Sequence, residues 1–512
     1  MTMSDDFPGR ATGTASETLR RAVEELRAGR PAEAKAACEA VLSQDPDNAQ
    51  ALHLLGALAL EANDPARAVE LLGAATRLDP GNPACVLDLA MAQASLGRIA
   101  DATASYRQAL ALQPDLVPAH HGLGRLHQAT GDLDQAVLCF RQAAAIQPGE
   151  AVLHKDLGDA LKAQFRREEA AASYRRALEI APRSAGIWKD LGIVERQLGR
   201  LEESLGCFER AVAIDPGDAQ TFNQIGMVHH MRGDTAAAAE AYRRAVAQRP
   251  DYTTAWSNLT RALIGRGEAA PALEAAEATL RLDPRKCSAL ADKAAALNEL
   301  GRDGELRALY DYERLVQVSR LPPPPGYADQ EAFNAKLAEA IAAHPTLRAE
   351  PEGKATRGGR QTGELFDGAV PFESLKDQLG DAVQAYLASL PDDAGHPFTA
   401  YKPVSLRITG WAVMLESQGF QIPHIHAESW VSGVYYVSVP PGLGQGADDK
   451  AGWLEFGRFE ESFPLQASRH THAVQPQPGR LVLFPAFFWH GTIPFEAEAP
   501  RICIAFDVWE AA

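Results

Sequence analysis

Cysteine is scarce in this chain: there are six in 512 residues, and no two form a CxxC pair. That excludes a zinc ribbon or thioredoxin-type motif and a disulfide-built scaffold. Cys38, Cys139 and Cys207 sit in helical patterns and read as small, reduced core residues. Long apolar runs are missing as well. No stretch approaches the roughly 20 apolar residues of a membrane span, and Met1–Arg30 has no apolar core of the kind a secretory leader carries. The expectation is a cytoplasmic protein with no membrane partner. Basic residues are in deficit, 50 Lys and Arg against 67 Asp and Glu, for a formal net charge of −17. Unspecific nucleic-acid binding needs a basic face, so no nucleic-acid partner is expected. Length is not lacking: 512 residues exceed one ordinary core and predict two or more domains.

What the chain does have is a period. Pro46, Pro80, Pro114, Pro148, Pro182, Pro216, Pro250 and Pro284 are spaced by 34 residues without a break. Each ends a helical pattern, because proline cannot continue one. Leu55, Leu89, Leu123, Leu157, Leu191, Ile225 and Leu259 keep the same step, with Gly56, Gly124, Gly158, Gly192 and Gly226 beside their neighbours. A second series, Gly97, Gly131, Gly199, Gly233, Gly267 and Gly301, marks a turn between two helices. Ala102, Ala136, Ala170 and Ala238 are each followed four residues on by an aromatic: Tyr106, Phe140, Tyr174 and Tyr242. A helix–turn–helix unit every 34 residues is identified as a tetratricopeptide array, here of eight repeats over residues 15–318, behind a disordered segment 1–14. One unit cannot bury its apolar face alone, so stacked neighbours make an all-α superhelix with a groove.

One position of each first helix is predicted to face that groove: Asp88, Asp156, Asp190, Gln224, Asn258 and Asp292, with Leu54 and Gly122 breaking the series. It resembles the asparagine ladder of the O-GlcNAc transferase repeats, which implies capture of an extended peptide by its backbone. Carboxylates accept hydrogen bonds but do not donate them, so this ladder would favour a basic guest. Plain solvation of an exposed helical face is the alternative.

Residues 285–318 read as a capping helix pair. The LPPPPG run, Leu321–Gly326, reads as a stiff spacer within a linker of 319–330. Beyond it, within 331–512, helical patterns cover Glu331–His344 and Asp377–Leu390, and Gly358–Gly363 reads as a polar turn region. From Tyr401 the texture becomes all-β, with candidate strands Ser405–Glu416, Ser432–Val439, Gly452–Phe456, Leu481–Phe484 and Ile502–Val508.

Histidines crowd this last region: His424, His426, His470, His472 and His490. Residues two apart on a strand project to one side, so His424 and His426 can address one point, and His490 follows the strand Leu481–Phe484. A histidine set with open coordination positions suits non-haem iron(II). Arg501 opens the final strand, where a guanidinium can grip a carboxylate with two hydrogen bonds.

Several segments then carry a likeness: Phe333-Asn334, His344-Pro345-Thr346-Leu347, Pro423-His424-Ile425-His426, Ser432-Gly433-Val434-Tyr435-Tyr436-Val437, Gly479–Pro485, Trp489-His490-Gly491-Thr492 and Arg501–Asp507. Together residues 331–512 resemble the bacterial 2-oxoglutarate/iron(II)-dependent oxygenases found behind tetratricopeptide arrays. The resemblance implies a double-stranded β-helix, or jelly roll, with flanking helices. It implies iron on His424, His426 and His490, and 2-oxoglutarate with its distal carboxylate on Arg501. The reaction implied is oxidative decarboxylation to succinate coupled to hydroxylation of a C–H bond.

Two departures stand out. Most enzymes of the wider superfamily carry His-x-Asp, whereas His426 fills the second place; His426-Ala427-Glu428 offers Glu428 as an alternative ligand. The proline before His424 and the register to Ser432-Gly433 favour His426. Cys503 stands where a hydroxyl often helps bind the co-substrate, a role open here to Tyr435 or Tyr436. His470 and His472 read as exposed loop residues, and Trp411, Phe456, Phe484 and Trp489 as core. Three functions remain open: a hydroxylase acting on a protein or peptide held by the repeats, a small-molecule hydroxylase, and a scaffold with a non-catalytic barrel.

Overall fold

The computed structural model describes residues 13–350, 354–366, 368–403, 405–444, 449–459, 465 and 468–511. The chain divides into two compact units, up to Pro216 and from Gly217 on. Of the expected disordered segment, residues 1–12 lie outside the described residues, whereas Gly13 and Thr14 begin the first helix, Gly13–Arg27.

The first unit is six antiparallel helix pairs, from Gly13–Arg27 with Pro31–Gln44 to Ala185–Gln197 with Leu201–Ile214. Local chemistry sets the joints. Asn48, Asn82 and Asp132 accept backbone N–H bonds at helix starts, satisfying donors that the first turn leaves orphaned. Between paired helices the chain passes through positive φ, and glycine takes that position at Gly97, Gly131 and Gly199, while Asn63 and Phe165 take it elsewhere. Three of these pairs close a glycine on an aromatic, Gly124 on Phe140, Gly158 on Tyr174 and Gly192 on Phe208: a β-carbon on Gly192 would lie 2.6 Å from the ring of Phe208, which is fully buried. Gly192→Ala therefore pits a helix-propensity gain of about 1 kcal/mol against an overpacking loss of about 1–3 kcal/mol. Because Phe208 has nowhere to move, the loss prevails, and the urea midpoint of the variant is expected to fall. A raised midpoint contradicts the close-packing account.

The second unit opens with three further pairs, ending in Cys287–Glu299 and the short Asp303–Leu309. Among the described residues there are thus nine helix pairs, one more than the eight expected. A single turn, Tyr312–Leu315, follows, and then ten strands interrupted by the helices Gln330–Ala342 and Val370–Ser389. The strands are β1 (Gln317–Arg320), β2 (Arg348–Ala349), β3 (Thr356–Gln361), β4 (Leu406–Gln421), β5 (Val431–Ser438), β6 (Leu454–Phe456), β7 (His472–Val474), β8 (Arg480–Pro485), β9 (His490–Thr492) and β10 (Arg501–Glu510). They form a seven-stranded sheet in the order β1-β8-β5-β10-β4-β3-β2 and a three-stranded sheet, β7-β6-β9, with every pairing antiparallel. The interior strand β5, paired on both sides by β8 and β10, is buried along nearly its whole length.

Two expectations change. Gly358–Gly363, expected as a turn, supplies most of β3. Gly359 is there because a β-carbon would meet the Met414 carbonyl at 2.6 Å, so the glycine permits close strand approach. The expected linker of 319–330 begins inside β1, whose Ser319 and Arg320 pair with Leu481 and Arg480.

Candidate metal centre

The HxH segment lies between β4 and β5, outside any regular strand. It is held in place by backbone pairing instead. His424 and His490 exchange both N–H···O bonds, at 2.9 and 3.0 Å, and the N–H of His426 donates to the Ala486 carbonyl at 3.0 Å. This bridge sets the first residue of β9 directly opposite His424. The three rings gather with centroids 4.4 to 5.1 Å apart, and one ligand atom of each lies within 4.8 Å of the others.

The outer ring nitrogens decide which atoms face inward. Nδ1 of His424 meets the Ile422 carbonyl at 2.8 Å, and Nδ1 of His490 meets the Phe488 carbonyl at 2.8 Å. A carbonyl only accepts, so each Nδ1 carries the proton and each Nε2 is a lone pair. His426 reaches the same state differently: its Nδ1 donates to Asp507 Oδ1 at 2.6 Å. Asp507 also accepts from Ser429 Oγ at 3.1 Å and Ser432 Oγ at 2.7 Å. A carboxylate behind an imidazole fixes its tautomer and raises its basicity as a ligand. Asp507 thus brings a negative charge one bond removed from the centre, where the departure from His-x-Asp had removed one. Burial lowers the His424 pKa to about 4 and holds His490 well below the ordinary histidine range. Both are therefore neutral, as ligands must be.

The histidines share one cavity with Arg501, Ser432 and Trp411. Trp411, expected as core, lines this cavity and stacks on His426 at 5.6 Å, while Phe456, Phe484 and Trp489 are buried. Arg501 is 1% exposed. Its Nη2 donates to the Tyr436 hydroxyl at 3.3 Å, its Nη1 faces Cys503 Sγ at 3.9 Å, and its Nε has no partner. Among the described residues no carboxylate pairs with it. A buried guanidinium is costly without an anion. Tyr436 is also fully buried, and its hydroxyl stays protonated because burial pushes its pKa up to about 12. Tyr435 turns the other way and donates to Asn334 Oδ1 at 2.6 Å.

Glu428, the alternative ligand, does not join the cluster. Its side chain is 70% exposed, stands 3.5 Å from Lys286 and lines a separate cavity of about 230 Å³ with Arg285 and Tyr401. His470 and His472 also stay out of it, but are not exposed loop residues as expected. Both are partly buried, Tyr312 stacks on them at 4.5 and 5.4 Å, and His472 opens β7.

Four of the ladder residues are already engaged. In the first unit His53 Nε2 meets Asp88 Oδ2 at 3.0 Å, His121 Nε2 meets Asp156 Oδ2 at 2.6 Å, and Lys162 donates to Asp190 at 3.0 Å. In the second, Asn258 donates to Asn223 at 2.9 Å. Gln224 keeps an Oε1 without a partner. Asp292, expected on the groove, is 2% exposed and so presents no carboxylate to a guest. His53, His121 and Asn223 escaped notice because each lies 35 residues before its partner, one step off the 34-residue period.

Residues 409–507 match the family model described as "Putative 2OG-Fe(II) oxygenase". Tetratricopeptide repeat models match 25–77, 59–105, 94–164, 156–184, 183–251 and 231–286. Among curated proteins, Superkiller complex protein 3 of Mus musculus is 33% identical over 113 residues, covering 22% of this chain and 7% of that protein. The Homo sapiens protein of the same name is 32% identical over 109 residues, covering 21% and 7%. The chain therefore spans about 7% of the length of these relatives. Among solved structures, YrrB, described as a TPR protein with an unusual peptide-binding site, covers 36% of this chain with 96% of its own, at 22% identity and a TM-score of 0.35. PilF of Pseudomonas aeruginosa covers 38% with 89% of its own, at 20% identity and a TM-score of 0.34. The C-terminal part of a TPR repeat-containing protein from Cytophaga hutchinsonii covers 47% of this chain with 99% of its own solved chain, at 14% identity and a TM-score of 0.41. The chain carries tetratricopeptide repeats in its N-terminal and middle regions and, behind them, a putative 2OG-Fe(II) oxygenase domain.

Proposed function

We propose that the C-terminal domain is an iron(II)- and 2-oxoglutarate-dependent dioxygenase that hydroxylates a protein or peptide recruited by the helix pairs. The observation that carries this reading is one cavity holding three inward imidazole lone pairs and a buried guanidinium with no carboxylate partner. The two antiparallel sheets, bridged at His424 and His490, suit a double-stranded β-helix.

His424, His426 and His490 would hold iron(II), leaving positions open for co-substrate and dioxygen. When bound, iron(II) supplies activation of dioxygen coupled to decarboxylation of 2-oxoglutarate to succinate. The chain's own part is placement. Arg501 would take the distal carboxylate, with the Tyr436 hydroxyl beside it as a second donor; this supplies the contact that Cys503, a weak donor, does not. Asp507 holds His426 in its tautomer, and Trp411, Phe484 and Phe456 keep bulk water from the reacting atoms.

A basic guest suits the recruiting side. In the first unit Asp88 and Asp156 still carry acceptor oxygens beside their histidines, so that face can take N–H donors of a backbone, lysine or arginine. A reducing, cytoplasmic setting suits six unpaired, buried thiols.

The test is succinate production by the full-length protein in air with iron(II) and 2-oxoglutarate. Succinate should exceed that of a chelator-treated control and rise when a lysine-rich peptide pool is added. No succinate above the chelated control rejects the oxygenase reading; succinate unaffected by any peptide rejects the peptide substrate.

A further inference from the structure

Two side chains from the end of the helical array reach the backbone that carries the histidines. Cys287 is the first residue of its helix, and its thiol donates to the Ser429 carbonyl at 3.1 Å. Ser429 in turn donates to Asp507, the partner of His426. Tyr310 ends the last pair and is wholly buried. Its hydroxyl donates to the Phe487 carbonyl at 2.9 Å and accepts the Trp489 N–H at 3.3 Å. Its ring lies 4.5 Å from Phe488, whose carbonyl fixes His490 Nδ1. The turn that delivers His490 is therefore gripped on both sides of Phe488 by one phenol.

We infer that Cys287 and Tyr310, both from the last helix pair, are positioning residues of the metal centre, acting on His426 and His490 respectively. The inference rests on the metal-centre reading above. The Phe487 carbonyl and the Trp489 N–H both turn to the phenol, at 2.9 and 3.3 Å. Removing the hydroxyl takes a donor from the Phe487 carbonyl and an acceptor from the Trp489 N–H, and the turn must shift to recover those bonds. A shift of a fraction of an ångström is enough to spoil a ligand's aim. Burial holds the Cys287 thiol protonated, so it remains a donor.

Tyr312 provides the control. It comes from the same segment, is buried, and donates to the His470 carbonyl at 3.1 Å, but His470 makes no contact with the cluster. Cobalt(II) alone is the probe, added to the full-length apoprotein and followed by its d–d absorption. Loss of a group supporting a ligand weakens metal affinity by about 10–100-fold, so Tyr310→Phe is expected to raise the cobalt dissociation constant at least about tenfold and to alter the d–d spectrum. Cys287→Ala should weaken binding while Cys287→Ser, which keeps a donor, restores it; this pair decides the matter should Tyr310→Phe not fold. Tyr312→Phe should bind as wild type. Wild-type affinity in both Tyr310→Phe and Cys287→Ala overturns the inference, as does an equal loss in Tyr312→Phe. If the unaltered protein takes no cobalt at all, the metal-centre reading itself is what fails.

Discussion

His490→Ala protein, mixed anaerobically with iron(II) and 2-oxoglutarate, is expected to lack the weak visible charge-transfer band expected of the unaltered protein. The same loss is expected for His426→Ala, and Glu428→Ala should leave the band intact. Groups that merely support a ligand are worth about 10–100-fold in affinity, so removing a ligand should cost at least about 100-fold. Each of the three rings already spends its Nδ1 on a fixed acceptor, leaving no spare imidazole to take a lost partner's place. Glu428 cannot step in without leaving Lys286 and reversing the turn at residues 427–428. A larger loss in Glu428→Ala than in His426→Ala would reassign the second ligand.

The second large effect should come from Arg501→Met, and it has two opposite parts. Affinity for 2-oxoglutarate should fall about 100-fold, because a charge-assisted hydrogen bond is worth about 1.5–3 kcal/mol and 1.36 kcal/mol is a factor of ten. The protein without co-substrate should instead become more stable, by about 1 kcal/mol or more, because methionine fills similar volume without a desolvated charge. If Arg501 were simply a structural cation satisfied by Tyr436, the substitution would destabilise the free protein and leave co-substrate affinity unchanged. Isothermal titration with 2-oxoglutarate on the cobalt-loaded protein, beside melting of the unloaded protein, separates the two accounts.

Periodicity made most of the fold legible. A 34-residue repeat needs only local pairing, so helix ends, turn glycines and most of the aromatics packed on the glycines could be read in order. The β-region was legible at β4, β5, β8 and β10, because their β-branched and aromatic runs stand between Gly and Pro clusters. It was illegible where a residue's role depends on a distant neighbour. Asp507 supports His426 across 81 positions, and nothing near it in the chain marks it as more than the end of an apolar strand. His470 and His472 looked like loop residues because Tyr312, which covers them, lies about 160 positions away. Gly358 and Gly359 read as a turn because the chemistry that permits a turn also permits two strands to touch. The histidine cluster was the exception. Its residues are close in sequence or follow a readable strand, and their chemistry is rare enough in one region to draw notice.

The proline run at 322–325 looks like the place to divide this protein into pieces. β1 argues otherwise. A recombinant fragment starting after the prolines would lose the strand that covers the outer edge of β8, leaving a row of unmet backbone donors and acceptors that invites another chain to add itself. It would also lose Tyr310, opening a hole beside Phe487 and Phe488. Anyone excising the oxygenase domain for crystallisation or assay should cut before Cys287 and carry the last helix pair along.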